Sequence, residues 1–410
     1  MCPKPGITLN ITATASLALP SAVSVAPRVQ SHRSQRSASF GRRCPQYGQG
    51  IVSPALGPGR VAGASVYSTL ISIIEGHKRR GIRQVNLQLA AIQPFGRLDH
   101  NGLKGALLLF LGFSAQALSA GLGPYAHLVV NDSPGTPRDG VRVTYLGTNG
   151  YQFEFRGHAL LVDPYFSRVN LLSVALNSRI QPDIARIAEG MRHLAPKADA
   201  ILVTHGHFDH LLDVPIVMSK TQARLVASAS AITLVRQLPD AGAPSGDAVS
   251  AGDVRLIGPW KIRVLPATHD RLFGKVPFDQ HEARGPGPPQ RPADWICGEP
   301  LAFLIEIGGQ RIYIDSGGTT AQWPPHEQVD LAILGVALPD SRVRLLGALE
   351  RLEPRYILPS HQDNFFRPLD AGFQFGLLTD FSRVRRDCER ENRGHLILLD
   401  YFRPWTLPRK

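Results

Sequence analysis

The sequence predicts an α/β sandwich: two β-sheets packed face to face with helices outside. Two observations carry that prediction. From Val141 onward, short apolar runs bounded by turn residues fall into two blocks, and segments of helical spacing accompany each block. The chain of 410 residues is also 43% hydrophobic, enough for a sizeable core.

In the first block, VRVTYLG, YQFEF and HALLVD read as successive strands, with Asn149-Gly150 as a turn. PDIARIAEGMRHLAP places Ile184, Ile187, Met191 and Leu194 at helical spacing. ADAILVTH reads as a buried strand, LLDVPIVMSK as a short helix and RLVAS as a strand. The second block opens with the strands VRLIG and KIRVLPATH, and LAFLIEIGGQRIYIDSG is a hairpin turning at Gly308-Gly309. DLAILG is a strand, SRVRLLGALERLEP a helix and RYILPSH a strand. A helix at FSRVRRDCERE and a strand at HLILLDYF close the chain.

The N-terminal part differs in composition. Residues 1–140 hold 14 Lys+Arg against 4 Asp+Glu, and residues 141–410 hold 31 against 29. Most of the net charge of +12 therefore lies outside the foldable region. Residues 1–102, rich in Ser, Pro, Gly, Arg and Ala without sustained periodicity, are expected to form a disordered basic extension, with one helix candidate at 66–75. Residues 103–120, LKGALLLFLGFSAQALSA, follow the order of a secretory signal: Lys104, an apolar core, then Ala115-Gln116-Ala117 as a small-x-small cleavage pattern. This predicts a secreted or periplasmic protein, with 121–140 as a linker. The depth of the segment predicts a start near Val85 or Leu103 from a non-AUG codon, because no methionine falls between Met1 and Met191. N-terminal sequencing of the natural product checks this. A single membrane anchor and a buried helix are the competing readings, and the apolar core is short for a span.

The sharpest chemical signal is THGHFDH at residues 204–210, which holds three of the chain's 14 histidines. It follows a strand and opens a helix. In an extended turn His205 and His207, two apart, point the same way and suit one metal. Asp209 and His210 can turn to a second. Neutral imidazole and carboxylate suit zinc, manganese or iron. Three further donors close apolar strands: His269 in KIRVLPATH, Asp315 in RIYID and His361 in RYILPSH.

In these residues the sequence resembles the metallo-β-lactamase-fold hydrolase superfamily, over about residues 141–402. The resemblance implies a four-layer αββα sandwich. It implies that His205, His207 and His269 hold one divalent metal, that Asp209, His210 and His361 hold a second, and that Asp315 bridges. Zinc is the expected metal, with manganese and iron also fitting. Asp163, in LLVDPYF, matches the superfamily's early aspartate, which supports the metal loop by hydrogen bonding. Two departures stand out. Lactamases of this fold usually place a cysteine in the second site, whereas Asp315 and His210 point to the binuclear hydrolase pattern. The early turn reads GTNG where many relatives read G-H-[SA], a change expected to touch the pocket and no ligand. The run LGTNGYQFEFRGHALLVDPYFSR looks most like the branch with ascorbate-phosphate lactonases and the N-acylphosphatidylethanolamine phospholipase D.

Two metals roughly 3.5–4 Å apart can share a hydroxide at near-neutral pH. Attack on phosphorus or a carbonyl carbon follows, with Asp209 orienting the nucleophile or accepting its proton. The expected activity is metal-dependent hydrolysis of an ester bond, phosphodiester or lactone, in a small molecule or lipid, with contact to a membrane surface. No G-x-S-x-G motif offers a serine route. A nuclease and a non-catalytic metal-binding protein are the alternatives. The nearly neutral region 141–410 argues against the first, and the complete donor set against the second. Substrate choice is expected in residues 271–300, a loop or lid following His269. There Arg271, Lys275, Arg284 and Arg291 could meet phosphate, and Phe273, Phe278 and Trp295 an acyl chain or sugar. His281 and His326 read as surface residues. Cys2, Cys44, Cys297 and Cys388 are too scattered for a disulfide scaffold, and a Cys297–Cys388 bridge stays open.

Overall fold

The structure is a computed structural model and describes residues 121–137, 139–238, 246–280, 287–316, 327–338 and 340–409. The expected extension, the signal-like segment 103–120, the helix candidate 66–75, and His281, Arg284 and His326 lie outside these residues.

Strands β1 (Val141–Gly147), β2 (Gly150–Phe155), β3 (His158–Val162), β4 (Ala200–Leu202), β5 (Arg224–Ala227) and β6 (Gly246–Ala248) make most of one sheet. Strands β7 (Val254–Ile257), β8 (Trp260–Pro266), β9 (Leu301–Ile307), β10 (Gln310–Ile314), β11 (Leu331–Gly335), β12 (Tyr356–Ser360) and β13 (His395–Leu396) make the other. The last strand, β14 (Trp405–Leu407), returns to the first sheet beside β1. The orders are β14-β1-β2-β3-β4-β5-β6 and β13-β12-β11-β10-β9-β8-β7. Both sheets follow one logic. Antiparallel pairs run from β14 to β3 and from β7 to β10, and parallel pairs run from β3 to β6 and from β10 to β13. Parallel neighbours need crossovers. In the first sheet these contain α1 (Leu171–Ala175), α2 (Ile184–Met191), α3 (Phe208–Leu211), α4 (Val214–Thr221) and α5 (Ala229–Arg236). In the second they contain α6 (Ser341–Leu352) and α7 (Phe381–Glu391).

The strand alternation builds three apolar layers. Val143, Phe153, Leu160 and Leu202 of one sheet meet Ile262, Phe303, Ile312 and Ile333 of the other between the sheets. Leu161, Ile201 and Leu225 face outward onto Leu211, Val217 and Leu234 of the first helical layer. Leu304, Tyr313 and Leu334 face Leu345, Leu349 and Phe381 of the second. The four-layer αββα sandwich is therefore present. Helix starts are capped as short polar side chains dictate: Asp183, Ser228 and Asp380 accept from the backbone N–H three residues on.

Several local expectations change. Residues 121–137, expected as a linker, include a 3-10 turn whose Tyr125 ring packs 4.7 Å from Phe381 and whose hydroxyl meets Ser382 at 2.8 Å. HLILLDYF pairs as a strand only at His395–Leu396. Helix α5 and strand β14 add elements that periodicity did not show. Cys297 and Cys388 are both buried free thiols, so the bridge left open is not formed. Among the described residues no helix is long and apolar enough to cross a membrane.

Candidate metal centre

The donors follow strand ends: the THGHFDH residues follow β4 and His361 follows β12, both in parallel regions, and His269 follows the antiparallel β8. Strand β4 runs into Thr204–His207, and His207 is the N-cap of α3, which carries Asp209 and His210 in its first turn. The glycine between the two leading histidines is required. A Cβ on Gly206 would stand 2.4 Å from the Ile296 carbonyl oxygen, and the Gly206 N–H donates to the Cys297 carbonyl at 3.0 Å. Asp163 and His361, the residues after β3 and β12, both take left-handed backbone, φ 39° and 53°. That conformation is uncommon for such side chains and turns each out of its strand toward the site.

Six of the seven expected ligands come together in two groups: His205, His207 and His269; and Asp209, His210 and His361. Within each group one ligand atom per residue lies within 4.8 Å of the others. Nε2 of His205 and Nδ1 of His207 are 2.9 Å apart, and His361 Nε2 is 3.0 Å from Asp209 Oδ2. The groups adjoin, because the His205 and His210 ring centroids are 4.0 Å apart.

The donor chemistry fits divalent metal. Four of the imidazoles have an oxygen facing the nitrogen that is not needed for ligation. His207 Nε2 meets the Pro277 carbonyl at 2.9 Å, and His269 Nδ1 meets the Asp270 carbonyl at 2.7 Å. His210 Nδ1 meets Asp163 Oδ2 at 2.9 Å, and His205 Nδ1 meets Thr204 Oγ1 at 3.2 Å. Donation there leaves a lone pair on the other ring nitrogen, which is what a ligand must present. Burial pushes the pKa of His205 and His207 well below the ordinary value and His269 down to about 4, so these rings stay neutral near pH 7. Burial also acts against charge on His210, yet Asp209 and Asp163 carry its pKa upward. Burial would raise the Asp209 pKa, but His210 and His361 hold it below the usual carboxylate range.

Asp163 holds the loop as expected of a supporting aspartate. Its Oδ1 accepts the Thr204 N–H at 2.8 Å, and Oδ2 accepts from the Thr204 hydroxyl at 2.5 Å and Asn149 Nδ2 at 2.8 Å, besides His210. Asp315, the expected bridging ligand, is bound by protein donors. It belongs to neither group, and its carboxylate accepts from Arg344 Nη1 at 3.2 Å, the Gly335 N–H at 3.0 Å and the Tyr313 hydroxyl at 2.9 Å.

Among its described residues, the loop after His269 carries one 3-10 turn, at Pro292–Asp294, and no other regular element. Trp295, expected to meet substrate, is instead core, 1% exposed in the first helical layer. Arg291 Nη1 donates to the Asn177 carbonyl at 3.2 Å, which ties the loop to the segment after α1. Phe278, half-buried, has its ring 5.8 Å from His207. Sequence reasoning missed Phe365, also half-buried, whose ring is 4.9 Å from His361. Its signal was only proximity, four residues beyond a ligand.

Two triads at the edge of an αββα sandwich define a metal-binding centre of hydrolase type. A sequence profile described as a β-lactamase superfamily domain matches residues 142–361, and the chain belongs to that superfamily. It is 27% identical to a UPF0173 metal-dependent hydrolase of Pelotomaculum thermopropionicum over 236 residues, which span 55% of this chain and 86% of that one. A UPF0173 metal-dependent hydrolase of Thermus thermophilus is 29% identical over 176 residues, 41% of this chain and 67% of the relative. Among solved structures, Igni18, a metallo hydrolase of Ignicoccus hospitalis, aligns with TM-score 0.44 and 18% identity over 66% of this chain and 99% of its own. The diiron β-hydroxylase CmlA of Streptomyces venezuelae aligns with TM-score 0.42 and 16% identity over 67% and 55%.

Proposed function

We propose that the protein is a metal-dependent hydrolase that holds two divalent ions, zinc foremost, and cleaves an ester bond, phosphodiester or lactone, in a small molecule or lipid. The observation that carries this is the pair of adjoining triads, one all-imidazole and one with a carboxylate. Divalent ions held there would supply Lewis-acid polarisation and the acidification of water toward neutral pH.

The chain's own residues do the rest. The five histidines and Asp209 present ligand atoms, four of the rings with the second nitrogen facing an oxygen. Asp209 is favoured in its ionised form, because His210 and His361 hold its pKa below the usual carboxylate range. Its role is to orient the attacking group by accepting a hydrogen bond. Asp315, the expected bridging residue, would share its carboxylate with Arg344. Phe278 and Phe365 set aromatic faces beside the two triads, which suits a substrate with an apolar part next to its ester. The nearly neutral region 141–410 suits a small or lipid substrate better than a polynucleotide.

The test is metal quantification on protein purified without chelator, with a panel of phosphodiester and lactone substrates. Wild type is expected to carry transition metal and hydrolyse one class. His205→Ala and Asp209→Ala are expected to lose activity by at least about 100-fold, as removal of groups central to catalysis does. A wild type free of transition metal, or full activity in both variants, would overturn the proposal.

A further inference from the structure

The turn that departs from the superfamily pattern, Thr148-Asn149, is fully buried between β1 and β2 and touches both sides of the second triad. Asn149 Nδ2 donates to Asp163 Oδ2 at 2.8 Å, and Asp163 Oδ2 accepts from His210 Nδ1 at 2.9 Å. Asn149 Oδ1 accepts from the Ser360 hydroxyl at 2.6 Å, and Ser360 immediately precedes His361. The Thr148 carbonyl accepts the His361 N–H at 2.8 Å, and the Thr148 N–H donates to Asp363 Oδ1 at 2.9 Å. Asp363 is fixed in turn by Arg168 Nη1 at 2.8 Å and the Tyr401 hydroxyl at 2.6 Å. Gly147 makes room for this: a Cβ there would stand 1.7 Å from Arg168 Nη2.

These contacts have one geometric consequence. His210 lies on α3, the helix that follows β4 of the first sheet, and His361 leaves the end of β12 in the second. No strand joins the two. The side chain of Asn149 does, through Asp163 on one side and Ser360 on the other, while the Thr148 backbone holds His361 in its left-handed conformation. We infer that Asn149 is a positioning residue that sets the separation of His210 and His361 and thereby the affinity of the second triad for its metal ion. This rests on the reading of the two triads as metal sites. Asn149 touches no ligand nitrogen and acts only through Asp163 and Ser360. Of the first triad, only His205 touches this chain of bonds, through Thr204, which donates to Asp163, whereas His207 and His269 are held by the Pro277 and Asp270 carbonyls.

Zinc titration of apoprotein, followed by competition with a chromophoric chelator, tests the assignment. Cobalt absorption serves as a second reading. Wild type is expected to bind two ions. Asn149→Ala is expected to keep one affinity and to weaken the other about ten- to hundredfold, the usual effect of deleting a residue that orients a ligand. Asn149→Asp keeps the Ser360 contact but faces Asp163 with a second carboxylate, and is expected to weaken the same site. Ser360→Ala removes the link from Asn149 to β12, together with the acceptor of the Tyr151 hydroxyl, and serves if Asn149→Ala does not fold. Two unchanged affinities in a folded Asn149→Ala or Ser360→Ala overturn the inference and leave the proposed function standing. Equal weakening of both sites shows a general structural role and overturns it as well. A wild type that binds no ion overturns the proposed function and the inference with it.

Discussion

Arg344 on α6 reaches Asp270 at the end of β8 with Nη2 2.7 Å from Oδ2 and Nε 3.1 Å from Oδ1, in a pocket that leaves its side chain 7% exposed. The same guanidinium donates to Asp315 and to the Gly335 carbonyl, so one helix residue ties the ends of β8, β10 and β11. Removing the cation strands two buried carboxylates. Arg344→Met is therefore expected to destabilise the protein by about 3–5 kcal/mol. Arg344→Lys is expected to recover part of that, because one ammonium cannot span the fork. Urea unfolding at pH 7 measures both, and an unchanged midpoint in Arg344→Met contradicts the clamp. The metal content of Asp315→Asn then reports whether that carboxylate also reaches the ions.

A second ion pair sets a pH dependence. Arg342 on α6 donates from Nε at 2.6 Å and Nη2 at 3.0 Å to Asp387 on α7. These hydrogen bonds hold the Asp387 carboxyl below its ordinary range. A carboxyl whose folded pKa is depressed binds a proton less readily folded than unfolded. Its stabilisation is thus complete above the unfolded value of about 4 and is lost as pH falls through the lower folded value. The pair is partly solvated, so the effect is modest. The urea midpoint of Asp387→Asn is expected to lie below wild type at pH 7 and to converge with it in acid. A gap that stays constant down to about pH 2 counts against the linkage.

Gly206 offers a steric test. An alanine Cβ must displace the Ile296 carbonyl or the metal loop itself. Gly206→Ala is expected to destabilise by about 1–3 kcal/mol and to weaken metal binding at His205 and His207. Calorimetric unfolding with and without zinc separates the two effects. A Gly206→Ala variant that unfolds at the wild-type temperature both with and without zinc would refute the close approach.

The aromatic faces give a prediction about substrate. Phe365→Ala is expected to raise KM for esters with an apolar tail about tenfold, equivalent to roughly 1.4 kcal/mol of lost burial. It is expected to leave KM for short-chain esters nearly unchanged. Steady-state kinetics on a chain-length series decide this, and equal effects at all lengths would remove Phe365 from the substrate wall.

Much of the fold was legible because each core strand is a short apolar run between turn residues, and strand-end donors mark themselves by following such runs. His205, His207, His269 and His361 were found on that signal. Asp315 gave the same signal, and a linear sequence does not show that Arg344 on α6 also reaches its carboxylate. Helix α5 was hidden by Ile232, Thr233 and Val235, β-branched residues of modest helix propensity. Strand β14 is three residues long between Pro404 and Pro408 and exists by pairing with the edge of β1. Trp295 looked like a lid residue because its neighbours are Pro- and Gly-rich, yet the loop dips into the first helical layer at that point.

Each triad draws two residues from the edge of one sheet and one from the other: His205 and His207 with His269, and Asp209 and His210 with His361. Neither half of the chain owns a complete set of donors. A fragment ending before β7 would hold two residues of each triad, and its complement only one. Bound metal would thus act as a rivet at two points along the seam, and its binding energy would add to the cohesion of the halves. Metal uptake by this protein is in that sense an assay of whether its two halves have docked.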